Sequence, residues 1–554
     1  MRGCHFGIII FCCLVLSAVL NSSAALQKND DKEQPTAQEK VRLVHTDKLY
    51  FNDRIHREAQ FLVGNVQFEH DGVLMYCDSA LFYEASNSFD AYGNVKVNQG
   101  DTLTLVGDEM YYKGLEQLAH VRHNVVLTHR ETVLYTDSLD YDRLYDLGYF
   151  FDGGRLTDQD NELTSDWGQY CPGTREAVFN YNVKLVNPAP PAEPKSILIS
   201  DTLHYNTETA IAHITGPSNI ENGENHIYSE LGYYNTKTKE ANLLNRSLLS
   251  NQGKKLIGDS IVWDGEKEHG KAYGNIEYTD VVNKNIFLGN YCFYDDKQGY
   301  AEAADSAVVI DFSQRDTMYV HADSFRLYTY HMDTDSMYRK LHAYHHVRAF
   351  RIDVQAVCDS MVYDGTDSCL TMYKDPILWQ MGQQLLGEEI KAFLNDSTMD
   401  SIQVLRQSLT VEQLDSIHYN QVSGSEMHSY FQDGQIYLTT VHGNVLVNYY
   451  PFDDDSLMIG MNNTETTEMK LYLKDRQLKK IWMPGASGTL YPVPLIPPNE
   501  LYLENFAWFD YIRPTDKNDI FVWRPKKGGT ELKATVEHKV PLQNLSDIKK
   551  KQKK

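Results

Sequence analysis

Apolar, small, acidic and aromatic residues follow one another in a short phrase that returns at near-fixed intervals along the chain. Clear copies are Met75–Phe82, Leu105–Tyr112 and Leu134–Tyr141. Aligned on the acid, twelve copies follow one another at intervals of 29 to 36 residues. The anchors are Asp47, Asp78, Asp108, Asp137, Asp166, Asp201, Glu230, Asp259, Asn290, Asp323, Asp359 and Glu388. Such a period predicts one repeat architecture rather than a set of unrelated domains.

Each slot of the phrase has a physical meaning. The residue three before the anchor is apolar, the one directly before it is small, and the one four after it is mainly aromatic, as in Met75, Cys77 and Phe82 around Asp78. Inward-facing residues therefore lie at odd offsets before the acid and at even offsets after it. Because strand side chains alternate between faces, this switch requires a bulge or corner at the acid, whose carboxylate can accept from nearby backbone N–H groups.

A second phrase lies about fifteen residues after most anchors, as in Gly64–Val66, Gly93–Val95, Gly274–Ile276 and Gly443–Val445. Gly-Asn tolerates positive φ, so it predicts a turn or bulge that leads into a strand. Short polar turns, such as residues 84–87, separate the phrases. Each repeat then reads as two bent antiparallel strands, and the fold class is all-β, a solenoid-like stack of such strands.

The N-terminus predicts export from the cytoplasm. Arg2 precedes an apolar run from Phe6 to Leu20 and small residues up to Ala25. This is the pattern of a signal peptide over residues 1–25, with an uncleaved anchor as the alternative. Residues 26–40 follow as a flexible leader.

The repeats divide the remainder of the chain. We expect a first array over 41–187, a Pro-rich junction at 188–194 and a second array over 195–395. Residues 396–530 hold a short helical insertion near 396–418, then further β repeats and a cap. The spacing of Ile402, Leu405, Leu409 and Ile417 predicts that helix. Residues 531–554 form a basic disordered tail.

Charge and motifs argue against several function classes. The formal net charge of −24 disfavours nucleic-acid binding, which needs a basic face. The recurring acids occupy equivalent corners, whereas carboxylate catalysis needs two acids in unlike environments at one site. His342, His345 and His346 lack the framework of a metal site. We therefore predict no enzyme activity, no catalytic residue, no metal site and no cofactor.

The Gly-Asn-Val phrases followed by acid-anchored strands, as in Gly64–Val66 before Asp78 and Gly93–Val95 before Asp108, resemble the OstA/LptA-like family. The resemblance implies a V-shaped β-jellyroll in the periplasm that holds the acyl chains of lipid A. It also implies partners: lipopolysaccharide, and other OstA/LptA-like jellyrolls of the inner- and outer-membrane transport complexes, joined through edge strands. This chain is far longer than a minimal bridging subunit.

From these patterns we expect a non-enzymatic periplasmic protein, in contact with the outer membrane or free of it, that carries or bridges lipopolysaccharide during outer-membrane biogenesis. The predicted acyl contacts are Val66, Phe68, Met75, Val95, Val97, Leu105, Val125 and Leu134. The same residues would form ordinary core in a structural β-repeat scaffold or surface protein, which is the alternative. A carbohydrate-processing β-solenoid is disfavoured because no long loop carries paired acids.

Overall fold

The computed structural model describes residues 40–527, apart from Asp53, Ile55, 188–194, Asp296, Asp333, Met381, 396–398, Asp454 and Arg476. The predicted signal peptide, nearly all of the leader, the Pro-rich junction and the basic tail lie outside the described residues.

The described chain is built from antiparallel strands. The first half contains β1 (Arg42–His45), β2 (Lys48–Phe51), β3 (Gln60–His70), β4 (Val73–Tyr83), β5 (Ser88–Gln99), β6 (Leu103–Lys113), β7 (Leu118–His129), β8 (Thr132–Asp142), β9 (Leu147–Phe150), β10 (Gly154–Thr157), β11 (Glu162–Ser165), β12 (Trp167–Cys171), β13 (Glu176–Asn187), β14 (Ser196–Asn206), β15 (Ile211–Ile214), β16 (Ser218–Asn222), β17 (Asn225–Ser229), β18 (Leu231–Asn235) and β19 (Ala241–Asn251). The second half contains β20 (Lys254–Asp264), β21 (His269–Asp280), β22 (Asn285–Asp295), β23 (Tyr300–Ala304), β24 (Val308–Asp311), β25 (Met318–His321), β26 (Ser324–Tyr330), β27 (Tyr338–Arg351), β28 (Val354–Asp364), β29 (Cys369–Tyr373), β30 (Ile377–Gln380), β31 (Gln383–Leu386), β32 (Glu389–Leu394), β33 (Met399–Gln413), β34 (Tyr419–Gln432), β35 (Gln435–Tyr449), β36 (Gly460–Lys474), β37 (Gln477–Trp482) and β38 (Ser487–Pro492).

Helix is confined, within the described part of the chain, to single 3-10 turns at Val493–Leu495, Asp510–Ile512 and Asp519–Phe521. None of them is long and apolar enough to cross a membrane.

The strands pair in chain order into one continuous ladder. Strands β3 to β8 form a meander in which each strand is one rung of the stack. Where a rung is interrupted at its bend, it consists of two short strands, as in β9 and β10, which both pair with β8. Strands β13 and β14 flank residues 188–194 and pair with each other, beginning with Asn187 opposite Ser196. Hydrogen bonding thus runs unbroken from β1 to β38.

The bend of each rung forms as the sequence predicts. In β4, Cys77 and Ala80 are both buried, so the inward face switches parity at Asp78. In the neighbouring strand Gly93 and Asn94 have φ of +79° and +46° and form a bulge. The predicted bulge and parity switch are therefore confirmed.

The partner of the anchor carboxylate is mainly a side-chain amide, not the backbone N–H that the sequence predicts. Asn94 Nδ2 donates to Asp78 Oδ2 at 2.7 Å. Five further copies bond in the same way: Asn65 to Asp47, Asn124 to Asp108, Asn182 to Asp166, Asn245 to Glu230 and Asn275 to Asp259. These bonds lie along an exposed line of bends, which we call the spine.

The spine divides the sheet into two wings whose inner faces meet. The first wing contains the residues between the spine and the hairpin turns such as 71–72, and the second wing contains those on the side of turns such as 84–87. Phe68 on the first wing stacks on Phe89 of the second wing, with ring centroids 4.0 Å apart. The outer ends of the wings, opposite the spine, form the mouth. The folded sheet agrees with the expected V-shaped jellyroll.

The predicted helical insertion over 396–418 is wrong. Met399–Gln413 form strand β33, paired on both sides. Ile402 faces the interior core, whereas Leu409 faces outward and packs under the C-terminal residues. Ile402 and Leu409 are seven residues apart on opposite faces of one strand, and this spacing equals about two turns of a helix, so the sequence pattern imitates a helix.

The C-terminal residues 499–524, which we call the strap, cover the outer face of the first wing in the C-terminal rungs, from β27 to β35. Gln384 Nε2 donates to the carbonyl of Ala507 at 2.9 Å, and its Oε1 accepts from the N–H of Phe509 at 2.7 Å. Gln421 bonds the carbonyl of Leu501 and the N–H of Leu503 in the same two-way fashion. The predicted cap segment thus runs across these rungs and buries outward residues of the first wing such as Leu409.

Candidate functional site

The eight predicted acyl contacts all lie on the inner face of the first wing. Each is at most 2% exposed, and all belong to one apolar cluster that extends from Val41 to Ile276. Several form a single row across neighbouring strands: Phe68, Met75, Val97 and Leu105 are successive cross-strand partners. The structure therefore brings these residues together, within a closed interior.

Hydrogen bonds across the mouth hold this N-terminal section closed. Tyr112 Oη, on the second wing, lies 2.6 Å from Nδ1 of His70 on the first wing. Arg143, from a turn of the second wing, donates to Tyr112 Oη at 2.6 Å and to the carbonyl of His70 at 3.2 Å. Burial raises the pKa of the Tyr112 hydroxyl, so it remains a neutral hydrogen-bonding group.

The same contact recurs along the mouth. Tyr170 Oη lies 3.2 Å from His129 Nδ1. Tyr205 Oη accepts from Asn161 at 2.8 Å and donates to Asp158 at 2.5 Å. Each tyrosine stands four residues after an anchor, so the aromatic slot of the repeat supplies these bonds. We call the contacts of Tyr112, Tyr170 and Tyr205 the latches.

The inner face is less completely buried where the first cluster, which extends to Ile276, gives way to the second, which begins at Ala307. Inward apolar side chains of the first wing are partly exposed here, namely Leu249, Leu256, Phe287, Val309 and Val320. On the second wing the aromatic slot holds Trp263, Tyr294 and Leu327, and Tyr294 is 44% exposed. We call the inner face of β19 to β26 the open section.

The two wings of the open section meet near the spine. Near the spine Phe287 of the first wing meets Phe325 of the second edge to face, with ring centroids 5.9 Å apart. Ala303 beside them is buried. Toward the mouth, Tyr278 keeps a pKa raised to about 12 by burial and by nearby Asp280. Partly exposed apolar side chains therefore line the inner face of the open section, where they could contact hydrocarbon chains that enter from the mouth.

Sequence reasoning did not single out this section. In the aromatic slot, Trp263 and Leu327 lack the hydroxyl by which Tyr112, Tyr170 and Tyr205 bond across the mouth, although Phe82 of the closed section lacks it too. A periodic template treats every repeat alike and therefore does not show such differences between single repeats.

The histidines considered for a metal site serve the repeat instead. His345 and His346 occupy the bulge of β27 with φ of +60° and +53°, where other copies have Gly-Asn. Their Nδ1 atoms lie 3.4 Å from Asp359 and 2.8 Å from Asp323. In the described part of the chain no cluster of three His, Cys, Asp or Glu side chains could hold a metal ion.

Comparison with known families covers the N-terminal repeats. Residues 38–190 match the family described as OstA-like protein, and residues 148–248 match lipopolysaccharide-assembly, LptC-related proteins. The N-terminal repeats are OstA-like. Together the matched residues make up less than half of the chain.

Comparison with single proteins adds little. No curated protein matches the chain significantly. Among solved structures, the chain is similar to LptH from Pseudomonas aeruginosa, the LptA homologous periplasmic component of the lipopolysaccharide transport device. The identity is 12% over 22% of this chain and 82% of LptH, with a TM-score of 0.19. That score is too low for a comparison of the two folds.

Proposed function

We propose that this protein is a non-enzymatic periplasmic lipid-binding protein that carries or bridges lipopolysaccharide toward the outer membrane. The observation that carries the proposal is the open section, an apolar inner face that is partly exposed beside the closed N-terminal section of a continuous stack. The OstA-like and LptC-related matches to the N-terminal repeats support the same class of cargo.

Acyl chains would enter the open section from the mouth and lie against Leu256, Phe287 and Val309. Burial of hydrocarbon stabilises the complex by about 0.8 kcal/mol per CH₂. The sugar and phosphate groups would remain at the mouth in water, where the exposed cations Lys254 and Lys284 stand on the turns of the first wing.

The eight predicted contacts, Val66, Phe68, Met75, Val95, Val97, Leu105, Val125 and Leu134, would extend this path toward the N-terminus. Because they are closed off by the latches, lipid would reach them only when the wings separate. The latches then act as a gate between the open section and the N-terminal interior.

Both ends of the stack offer strands for partners. Strand β2 carries exposed Leu49 and Phe51, and at the other end β37 carries exposed Ile481 and Trp482. Unpaired edge strands can extend a sheet into another protein. We propose that these edges join other OstA/LptA-like jellyrolls, after export directed by residues 1–25.

Photo-crosslinking in cells tests the proposal. A photo-reactive residue at Met75 or Phe287 faces the interior, whereas the same residue at Tyr76 faces outward and serves as the matched control for Met75. We expect lipopolysaccharide adducts at Phe287, weaker ones at Met75 and none at Tyr76. Adducts at Tyr76 alone would overturn the proposal.

A structural scaffold with a closed core is the second candidate. It is favoured by the N-terminal interior, in which all eight predicted contacts are at most 2% exposed. A scaffold would give no lipid adduct at Phe287 and would leave the outer-membrane lipid content unchanged when the protein is removed.

A further inference from the structure

Three adjacent hairpin turns of the first wing present apolar side chains to solvent at the mouth. Val281 and Val282 are 58% and 72% exposed, Phe312 is 36% exposed and Ile352 is 76% exposed. They lie in the turns between β21 and β22, β24 and β25, and β27 and β28. We call these four residues the rim.

The turns of the rim are physical neighbours. The N–H of Phe312 donates to the carbonyl of Lys284 at 3.0 Å, which joins the first turn to the second. Strands β25 and β27 then pair and bring the third turn alongside, with Tyr319 opposite Phe350. Since hairpins on one wing are two rungs apart, the three turns span roughly 20 Å along the mouth.

Turns of the same wing in the closed section are polar. They contain Asp71 with Gly72, residues 100–102, and Arg130 with Glu131. The apolar turns therefore coincide with the open section and its C-terminal border.

The charge around the rim differs from that of the whole chain. Lys254, Lys284 and Arg315 are exposed on these turns or beside them. Asp280, Asp311, Asp316 and Asp353 also lie there, and Asp353 is bonded to Arg351 at 2.6 Å. The rim is thus near neutral with cations available, whereas the chain carries −24, so an anionic surface would not repel it.

We propose that the rim docks on a lipid bilayer with anionic headgroups. The four side chains would enter the interface between headgroups and acyl chains, while Lys254, Lys284 and Arg315 meet the phosphates. Because the rim borders the open section, a docked bilayer would lie against the mouth of that section, and lipid could pass between them with little exposure to water.

Flotation of the full-length mature protein with vesicles of phosphatidylethanolamine and phosphatidylglycerol tests this proposal. The double variant Val282→Asp, Ile352→Asp is expected to weaken vesicle binding by roughly tenfold or more, from the lost burial of two apolar side chains. The matched control is Leu144→Asp with Tyr145→Asp, on a turn of the second wing in the closed section. These residues are 66% and 70% exposed, and the control variant should float like the wild type.

The proposal is overturned if the wild type does not float, or if the rim variant floats as well as the wild type, as it would if the basic tail alone bound the vesicles. Lipid A binding by each variant in detergent solution provides a separate readout. Retained lipid A binding with lost flotation supports the rim and leaves the proposed function intact. If the wild type does not bind lipid A, the result contradicts the proposed function and leaves the rim proposal standing.

Discussion

Tyr112 Oη lies 2.6 Å from His70 Nδ1 and thereby joins the second wing to the first across the mouth. The two residues are 42 positions apart and belong to different repeats. Similar bonds at Tyr170 and Tyr205 close the N-terminal interior, and the open section begins where the aromatic slot changes to Trp263. Three residues of one slot of the repeat thus join the wings across the mouth of the closed section.

Replacement of Tyr112 by Phe should loosen the closed section. The hydroxyl is buried and is the shared partner of His70 and Arg143, so its loss should lower the free energy of unfolding by about 1–3 kcal/mol. Urea unfolding measures this value, and amide hydrogen exchange should rise in β3 and β6. Tyr111→Phe is the control, because its hydroxyl bonds Glu109 on the exposed outer face. Equal effects of the two variants would contradict a latch role.

The bulge glycine should resist substitution for two separable reasons. Gly93 has φ of +79°, and a Cβ there would stand 2.6 Å from Asp78 Oδ2. Gly72 has a similar φ of +73° with nothing within 4 Å of its Cβ position. We expect Gly93→Ala to lower the free energy of unfolding by about 1–3 kcal/mol, and by more than Gly72→Ala. Thermal unfolding of both variants compares them, and equal losses would show that the contact with Asp78 contributes nothing.

The strap should detach in acid. Hydrogen bonding from Arg524 holds the pKa of the buried Asp519 carboxyl below its usual 3.8, with nearby Arg348 acting in the same direction. A depressed pKa means that the carboxylate stabilises the folded strap. This stabilisation is complete above pH of about 4 and is lost as pH falls from 3.8 through the lower folded value.

Fluorescence of Trp508 and Trp523 on the strap follows that transition. Asp519→Asn should remove the acid-dependent step and weaken the strap by about 2 kcal/mol at neutral pH. The control is Asp510→Asn, whose partner Arg513 is 3.7 Å away at the surface. An unchanged acid transition in Asp519→Asn would refute this account of the strap.

Cys292 offers a chemical probe of the open section. It faces inward on β22 and is partly exposed, and burial raises the pKa of its thiol to about 11. In a variant with Cys171→Ser and Cys369→Ser, maleimide should label it slowly at neutral pH, with a rate that rises about tenfold per pH unit. Lipid A should protect it from the reagent. Labelling that lipid A leaves unchanged would place the lipid elsewhere.

Local rules predicted much of the fold. The parity switch around Asp78 and the Gly93-Asn94 pair predicted the bend and bulge of each rung, because both depend on backbone geometry within a few residues. The helix assigned to 396–418 failed since Leu409 is buried by the strap, nearly a hundred residues later in the chain. No local pattern carries that information.

The candidate site was harder to predict for the same reason. Whether an inward residue such as Leu105 or Phe287 is closed off depends on bonds across the mouth between residues about 40 positions apart. The sequence shows which face of a strand is apolar, but it does not show which residues bond across the mouth.

The most direct test is a crosslinking profile of the purified protein with lipopolysaccharide along the interior. Photo-reactive residues at Leu256 and Phe287 report the open section, and one at Leu105 reports the closed section. Leu288, the outward neighbour of Phe287, is the matched control. We predict strong adducts at Leu256 and Phe287, weak ones at Leu105 that increase with Tyr112→Phe, and none at Leu288. Adducts at Leu288 equal to those at Phe287, or none at either inward position of the open section, would contradict the account.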